Sequence, residues 1–453
     1  MNYLQSAIQY VLDLGPEVFV PIIMLIIGLL ARMKLKDAIS AAVIFGVAFS
    51  GMTLVVDFML DAISPAAQSF AENTGIELSG VDGGWTAAAA ITWAWPLAFL
   101  MFPIQILINV AMLLLNLTKT LNVDMWNVWG KIFTAVLVTF ISGSTILGFI
   151  VAGIQTIVEL KIGDIWGEEI EEISGIPGVT VPHHMTLIAA LLYPIDKIMD
   201  RIPFLNKKMD AETLKDKLGV FAENHIMGGI IGFLLGLAAA YGLQDSLILA
   251  IQSATALTLF PMVSKLFMQA LTPISDAISD FMKKRIGDKE IFIGLDWPIL
   301  AGRNEIWVSA IIIVPFLLGF SVILPGNSVL PFGGIINLSI VVAVLLLTRG
   351  NLIRMIIYGI ITAPVFLYIA TYFTPYITKL ATDTGAVDVE SGNLLSWSTI
   401  ENGEFKIVFA NAMDGQWWGI LGAILWLALF AFFYFGRKKD NNKYFKDDLE
   451  KDS

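Results

Sequence analysis

Long apolar runs separated by short polar segments dominate the chain. Runs of about 20 apolar residues are typical of transmembrane helices. On this basis we predict eleven spans, the fifth and ninth of them short, after an interfacial helix over residues 3–14. The predicted spans are 17–31, 39–60, 92–115, 132–158, 186–199, 226–243, 247–271, 306–324, 335–348, 352–373 and 417–435. An odd number of spans places the two termini on opposite sides of the membrane.

The composition agrees with a membrane protein. Hydrophobic residues make up 57% of the 453 positions and charged residues only 15%, against about 25% in soluble proteins. The formal net charge of −11 comes from acids grouped in a few loops, notably 168–172, and no basic tract suggests a nucleic-acid partner. The partner that this composition indicates is membrane lipid. The chain has no cysteine, so it has no disulfide framework.

Several motifs recur in the same order in the two halves of the chain. Asp37 precedes Pro65 by 28 residues, and Asp245 precedes Pro273 by the same interval, 208 residues further on. Two further pairs follow in order, 81–85 with 294–298 and 102–103 with 314–315. Internal repeats with interrupted apolar segments in matching places are typical of secondary transporters, whose substrate binds where the repeats meet. The alternative is the weak self-similarity that polytopic proteins often show.

The distribution of basic residues predicts the orientation and the kind of repeat. With a cytoplasmic C-terminus, the inner segments hold 23 of the 28 Lys and Arg, so the positive-inside rule places the N-terminus outside. Residues 61–91 hold no Lys or Arg, whereas their counterpart 272–304 holds five. Equivalent loops therefore face opposite sides, as an inverted repeat requires. We place repeat one at about 16–160 and repeat two at about 224–375, followed by the last helix (417–435) and a cytoplasmic tail (437–453).

Five motifs resemble one known family over almost the whole chain. They are residues 123–127, 182–183, 294–298, 325–333 and 349–354. They are similar to the membrane subunit (enzyme IIC) of the galactitol-type phosphotransferase system (PTS), in the ascorbate-galactitol superfamily. Gly130 and Lys131 depart from the more hydrophobic or histidine-bearing stretch of that family, so the resemblance leaves the polyol open.

The resemblance implies a fold and a set of partners. Residues 1–453 would form a single EIIC-type membrane domain, an all-α polytopic protein with two inverted repeats and re-entrant hairpins. It would be a homodimer in the bacterial inner membrane, with a mobile core that carries substrate in elevator fashion. A separate IIB subunit, charged by IIA, would phosphorylate the sugar alcohol. In that family the phosphoryl group is carried on a IIB cysteine, and this chain has none. We therefore expect a transport subunit that is not itself an enzyme and needs no cofactor.

Candidate substrate ligands are polar and aromatic residues that interrupt apolar sequence. A polyol has many hydroxyls and no charge, so its recognition needs buried acceptors and donors together with aromatic faces. The candidates for substrate binding are Asp82, Trp85, Gln105, Asn109, Asp124, Asn127, His183, Glu223 and Asp296. We predict no catalytic residue, and three histidines without an i, i+4 pair argue against a metal site.

Asp82 and Asp296 lead this set. Each lies beside Gly and Trp, or Trp-Pro, in sequence that breaks a helix and suits a re-entrant hairpin. Non-helical backbone at membrane depth is tolerated only where protein or a cavity covers it. Ionisable groups in such places are functional candidates. The alternative is that each carboxylate caps a half-helix by accepting from backbone N–H groups.

Three more candidates have structural alternatives of other kinds. His183 follows a proline before the short fifth span and is either a donor to a substrate hydroxyl or a loop-end histidine with a local partner. Gln105 and Asn109 lie four residues apart on one face of the third span. They either line a cavity, which we prefer, or bond to a neighbouring helix.

The remaining candidates lie at the ends of spans. Asp124 and Asn127 belong to a polar-aromatic cluster between the third and fourth spans, which is either part of the site or an interfacial loop. Glu223, at the entry of the sixth span, is either a ligand or a solvated loop acid. Within that span, the small residues in 228–236 predict close helix packing rather than a site.

Three functions fit these observations. The first is group translocation of galactitol or a related hexitol with a separate IIB partner. The second is an ion-coupled polyol or sugar symporter that uses the same carboxylates as ion sites. The third is a channel or a receptor that does not transport, which the repeat and the buried acids make less attractive.

Overall fold

The computed structural model describes most of the chain. The described residues are 16–122, 124, 126–175, 178–207, 219, 223–286, 291–300, 303–336, 338–387, 389 and 394–451. The predicted interfacial helix over residues 3–14 lies outside them.

The described residues form fourteen α-helices. They are α1 (Pro16–Leu30), α2 (Leu35–Thr74), α3 (Gly84–Trp93), α4 (Met101–Leu114), α5 (Val128–Ser142), α6 (Thr145–Ser174), α7 (Ala189–Met199), α8 (Asn224–Ala238), α9 (Leu243–Ile286), α10 (Asn304–Ile323), α11 (Ser339–Thr348), α12 (Leu352–Thr384), α13 (Gly403–Met413) and α14 (Trp417–Lys451). Helices α5 and α11 lie in the core. All of α11 and the first eleven residues of α5 are buried, as expected for helices composed largely of apolar residues.

Six short strands form two parallel sheets in the described part of the chain. They are β1 (Gly80–Asp82), β2 (Thr120–Asn122), β3 (Val179–Thr180), β4 (Phe292–Gly294), β5 (Val329–Leu330) and β6 (Leu394–Ser396). Strand β1 lies between β5 and β6, and β4 lies between β2 and β3. All four pairings are parallel. Each sheet therefore takes its central strand from one half of the chain and its flanking strands from the other.

The predicted all-α fold is confirmed in its main part, since helices make up 78% of the structure, and these short strands are an addition that was not predicted. Segments of two or three residues are too short to show the alternating pattern that marks a strand. They occur where the chain leaves a helix inside the protein. Buried backbone N–H and C=O groups need partners, and pairing with a strand from the other half supplies them.

Six helices in the described part of the chain are long and apolar enough to cross a membrane. They are Leu35–Thr74, Thr145–Ser174, Leu243–Ile274, Asn304–Ile323, Leu352–Thr384 and Trp417–Asn441. A seventh span is formed if Gly84–Trp93 and Ala98–Leu114, which are bent by 91° at their junction, count as one. Three predicted spans correspond to apolar helices of only 10–17 residues, namely Val20–Leu30, His225–Ala238 and Gly333–Thr348, and a fourth such helix, Val128–Ser142, is the first part of the predicted span 132–158. The total of eleven spans stays a prediction.

The structure corrects the predicted span 132–158, which is two helices. Gly143 ends α5 with φ of 69°, and the hydroxyl of Ser144 caps α6 by accepting from the backbone N–H of Leu147. Glycine tolerates this left-handed conformation, and serine is a preferred N-cap. Helices α5 and α6 pack against each other as a hairpin.

The structure also differs from the prediction in two other segments, 186–199 and 374–416. The predicted span 186–199 consists of a 3₁₀ turn (His184–Ile188) and α7, whose 11 residues measure only about 16 Å. The segment 374–416 was predicted to lie outside the spans, yet α12 continues to Thr384, and β6 and most of α13 are buried. Charged residues within α13 interrupt the apolar run, which is why hydropathy did not reveal it.

The small residues of α8 pack closely against α9, as predicted. A Cβ atom added at Gly232 would lie 2.3 Å from the hydroxyl oxygen of Ser253, and one at Gly236 would lie 2.8 Å from Cα of Ser246. The opposite sides of α8 and α9 carry exposed apolar side chains, including Leu234 and Ile251. Such surfaces suit contact with lipid or with another protein.

Candidate functional site

The structure brings four of the predicted ligands together where β2, β3 and β4 end. Asn127 precedes the first residue of α5, and its side-chain amide and backbone N–H both donate to the carboxylate of Asp124. The Asn127 side chain also interacts with Asp296, two residues beyond β4. His183, three residues beyond β3, completes the group. Parallel strands carry these residues to one place because they end at the same edge of a sheet.

Asp296 retains room for a ligand. One carboxylate oxygen accepts from the backbone N–H of Trp297 at 2.7 Å and lies 3.7 Å from Nε2 of His183. The side chain is 22% exposed, whereas that of His183 is 3% exposed. A carboxylate has about four acceptor positions, so Asp296 can accept hydrogen bonds from two or more hydroxyls.

The imidazole of His183 is held in one tautomer. Its Nδ1 accepts from the backbone N–H of Met185 at 3.1 Å, so in the neutral ring the proton is on Nε2. That N–H faces Asp296 and can donate to it or to a ligand between them. His183 also stacks on His184, with ring centroids 4.2 Å apart. The loop-end alternative thus explains Nδ1, while Nε2 is left for a donor role.

Aromatic rings lie beside this cluster. Trp126, next to Asn127 in sequence, contacts Trp85 edge to face, with ring centroids 6.2 Å apart. Trp126 also contacts Trp93 and Phe267. The indole of Trp126 therefore lies between the predicted ligand Trp85 and the cluster. Trp85 is partly exposed, so part of its surface is accessible.

Asp82 has a different environment. Its Oδ1 accepts from the backbone N–H of Gly84 at 2.8 Å. Its Oδ2 accepts from the backbone N–H groups of Phe332 (3.1 Å) and Gly334 (2.9 Å) and from the hydroxyl of Ser398. The side chain is completely buried. Four donors use the acceptor capacity of the carboxylate, so this geometry favours the capping alternative.

Gln105 and Asn109, the predicted pair of amide side chains on α4, differ in their hydrogen bonding. Asn109 donates to the carbonyl of Thr120 at 2.8 Å and accepts from the backbone N–H of Asn122 at 2.9 Å, so it holds β2. Gln105, one turn earlier, is 1% exposed, and neither of its amide atoms has a hydrogen-bond partner in the described part of the chain. Buried polar groups in proteins normally have partners. Gln105 is therefore the member of the pair that is free to meet a ligand.

Glu223 is apart from the other candidates. It is exposed and precedes the first residue of α8, without a capping bond from its side chain. Helix α8 packs against α9 and α2, which carry none of the other predicted ligands. This placement favours the alternative of a solvated acid.

The comparison with known proteins identifies the family. Residues 10–390 match EIIC-GAT, the PTS system sugar-specific permease component. The chain belongs to this family. It is similar to the PTS system galactitol-specific EIIC component of Escherichia coli K12, with 35% identity over 410 residues, 87% of this chain and 90% of that protein. It is also similar to the putative permease IIC component of the same organism, with 34% identity over 407 residues, 87% of this chain and 93% of that protein.

This result confirms the resemblance that the sequence motifs indicated. EIIC components are the transport subunits of the PTS, and phosphoryl transfer belongs to the IIA and IIB proteins. With its apolar helices, this EIIC protein is a multi-pass protein of the inner membrane.

A buried group of charged residues next to this EIIC site was not predicted. Nζ of Lys131 lies 2.5 Å from Glu159, and Nε2 of His184 lies 2.5 Å from Glu401. Lys406 donates to the backbone carbonyl of Glu401 at 2.6 Å. Each of these side chains is at most 3% exposed. Two lysines and two glutamates balance in charge, which reduces the cost of burying them.

The sequence held one signal of this group. The sequence analysis singled out Gly130 and Lys131, of which Lys131 belongs to the buried group and Gly130 contacts it. A Cβ atom at position 130 would lie 2.2 Å from the imidazole of His184, so only glycine leaves room for that ring. Glu159 and Glu401 gave no comparable signal, because their partners are distant in sequence.

One set of side chains in the described residues has the composition of a metal site. Ligand atoms of His183, His184 and Glu401 lie within 4.8 Å of one another. A metal ion on Nε2 of His183 requires that nitrogen to be unprotonated. The hydrogen bond from Met185 to Nδ1 instead places the proton on Nε2. The geometry therefore favours hydrogen bonding over metal coordination.

Proposed function

We propose that this protein imports galactitol across the inner membrane and presents it to a separate IIB subunit for phosphorylation. Membership in the EIIC-GAT family and the similarity to a galactitol-specific EIIC component support this function. The structural observation that carries it is the pair of Asp296 and His183, an acceptor with free capacity facing an N–H donor. This pair suits a ligand with many hydroxyls and no charge.

The proposed polyol site is centred on that pair. Asp296 accepts substrate hydroxyl protons, Nε2–H of His183 donates to a hydroxyl oxygen, and Asn127 supplies an amide. Asp124 holds Asn127 in place through two hydrogen bonds. Trp85 supplies an aromatic face for the C–H edges of the polyol.

The other predicted ligands have different roles in this proposal. Gln105 adds an amide whose donor and acceptor both have capacity. Asp82 and Asn109 hold the strands β1 and β2, since their polar atoms already have backbone partners. Glu223 has no assigned contact with substrate.

The two halves of the chain form inverted repeats in this proposal. The exchange of strands between halves supports the repeat, because each central strand is flanked by two strands of the other half. The concentration of 23 of 28 basic residues in the inner segments supports an external N-terminus and a cytoplasmic tail.

The resemblance to the ascorbate-galactitol superfamily further suggests a homodimer that moves its core as an elevator. The exposed apolar surfaces of α8 and α9 offer area for the partner subunit and for lipid. A monomeric mass in native mass spectrometry from lipid nanodiscs would count against the dimer. Unchanged solvent accessibility of position 296 in the presence and absence of polyol would count against the elevator.

Uptake by vesicles tests the function. We expect vesicles with the purified protein to accumulate galactitol phosphate only when phosphoenolpyruvate, the general PTS proteins, IIA and IIB are supplied on the cytoplasmic face. A IIB variant without its carrier cysteine is the matched control, and it should abolish accumulation. Concentrative uptake of unmodified galactitol that is driven by a proton or sodium gradient without IIB would instead establish the symporter, for which the comparisons offer no support.

A further inference from the structure

We propose that the turn between β6 and α13 forms a second wall of the polyol site, with Asn402 and Glu401 as substrate ligands. This inference rests on the function proposed above and adds residues to the same site. The match to the EIIC-GAT family ends at residue 390, so it does not include them. The turn comes from the second half of the chain, whereas Asn127 and His183 come from the first.

The turn lies against the residues already assigned to substrate. His184, which stacks on His183, has its Nε2 2.5 Å from the carboxylate of Glu401. Glu401 is also close enough to Asp296 for the two carboxylates to interact electrostatically. Helix α13, which begins after Asn402, packs against α5, which begins after Asn127. The two walls thus meet at the histidine pair.

Asn402 has hydrogen-bonding capacity that the described protein does not use. It occupies the N-cap position of α13, where asparagine normally accepts from a backbone N–H of the first turn. Here its side chain makes no capping bond, and neither amide atom has a hydrogen-bond partner in the described residues, although the residue is 2% exposed. Its φ of 52° is in the left-handed region, and strained residues of this kind concentrate at functional sites.

Two indole groups next to this turn show the same lack of partners. The rings of Trp129 and Trp397 are 5.6 Å apart, and the ring of Trp129 is 5.7 Å from that of His184. Neither indole N–H has a hydrogen-bond partner among the described residues. A buried concentration of free donors and acceptors is unusual in a native protein. Hydroxyls of a polyol would satisfy these groups, and the indole faces would pack on its carbon chain.

The backbone of the turn is fixed before any ligand binds. The hydroxyl of Ser398 donates to Asp82, and that of Ser339 donates to the carbonyl of Thr399 at 3.2 Å. Lys406 holds the carbonyl of Glu401. A site with preorganised polar groups loses less conformational entropy on binding, so the anchors favour a binding role for the free side chains.

The variant Asn402→Gly tests this proposal. Glycine adopts φ of 52° without strain, so the melting temperature should stay the same or rise. The Kd for galactitol, measured by calorimetry on the purified protein, should rise about tenfold, because the variant loses one or two neutral hydrogen bonds to the substrate. Glu401→Gln, of nearly equal volume, should also raise the Kd by about tenfold or more, because its lost bonds are charge-assisted.

Asn411→Ala is the matched control on the same helix. Asn411 is also buried, but it accepts from Tyr372 and donates to the carbonyl of Ile407. Its replacement should lower the melting temperature and leave the Kd unchanged. A wild-type Kd for Asn402→Gly, or equal losses of affinity in Asn402→Gly and Asn411→Ala, would overturn the inference. Failure of the wild-type protein to bind galactitol would instead overturn the proposed function.

Discussion

At the scale of single residues, Asp82 and Asp296 show how far a sequence motif can be interpreted. Both lie next to Gly and Trp in apolar sequence, and both were predicted as ligands with capping as the alternative. Three of the four donors to Asp82 come from Phe332, Gly334 and Ser398, at least 250 residues away. Local sequence carries no information about them. The residue types of the site were therefore predictable, whereas the free capacity of each was not.

The variants Asp296→Asn and Asp82→Asn should have different effects: the first should mainly lower the affinity for galactitol, and the second should mainly lower the melting temperature. Asp296→Asn keeps an oxygen for Trp297 but loses charge-assisted bonds of about 1.5–3 kcal/mol each, so galactitol affinity should fall roughly ten- to a hundredfold. Asp82→Asn places an amide N–H against backbone donors in a buried place. Unsatisfied buried groups cost about 1–3 kcal/mol, so the melting temperature should fall, while the loss of affinity should be smaller than in Asp296→Asn, because Asp82 acts on the site only through its hydrogen bond with Ser398. Calorimetry and thermal unfolding measure the two effects, and wild-type affinity in Asp296→Asn would remove Asp296 from the site.

At the scale of elements, long apolar helices and close packing were predictable, and breaks were not. The Gly-rich face of α8 packs on α9 as expected. In contrast, the break at Gly143–Ser144 lies inside an apolar run, and α13 lies in a segment that hydropathy assigned to a loop. Hydropathy averages over a window of spanning length, so it does not resolve half-helices. The short strands depend on pairing between distant segments, which no local pattern encodes.

The glycines of α8 provide a test at this scale. Gly232→Ala puts a Cβ atom 2.3 Å from the hydroxyl oxygen of Ser253 and 2.7 Å from the carbonyl oxygen of Leu249. Overpacking of this kind costs about 1–3 kcal/mol. Gly229→Ala is the control on the same helix, because its Cβ atom would meet nothing closer than 3.8 Å, and alanine favours a helix by up to about 1 kcal/mol. We expect a lower melting temperature for the first variant and an equal or higher one for the second. Equal effects would contradict the close packing of α8 on α9.

At the scale of the whole molecule, the distribution of charge predicts an orientation that single residues and elements cannot give. Residues 374–416 contain only two basic residues, whereas six follow Phe435. The positive-inside rule depends on this difference, and from it we predict that the end of α12 lies outside and the tail inside. The family match supports a multi-pass membrane protein without fixing its direction.

Single cysteines can test this orientation because the natural chain has none. Asp383, at the end of α12, and Lys207, after α7, are both exposed. In intact cells, a thiol reagent that does not cross the membrane should label Asp383→Cys and should leave Lys207→Cys unlabelled until the cells are opened. A reporter fused after Ser453 should give a cytoplasmic signal, and the unsubstituted protein controls for background labelling. Either of two results would contradict the external N-terminus. In one, Lys207→Cys is labelled in intact cells; in the other, Asp383→Cys is labelled only after the cells are opened. The assignment of the inner face, from which IIB must approach the substrate, would then be wrong as well.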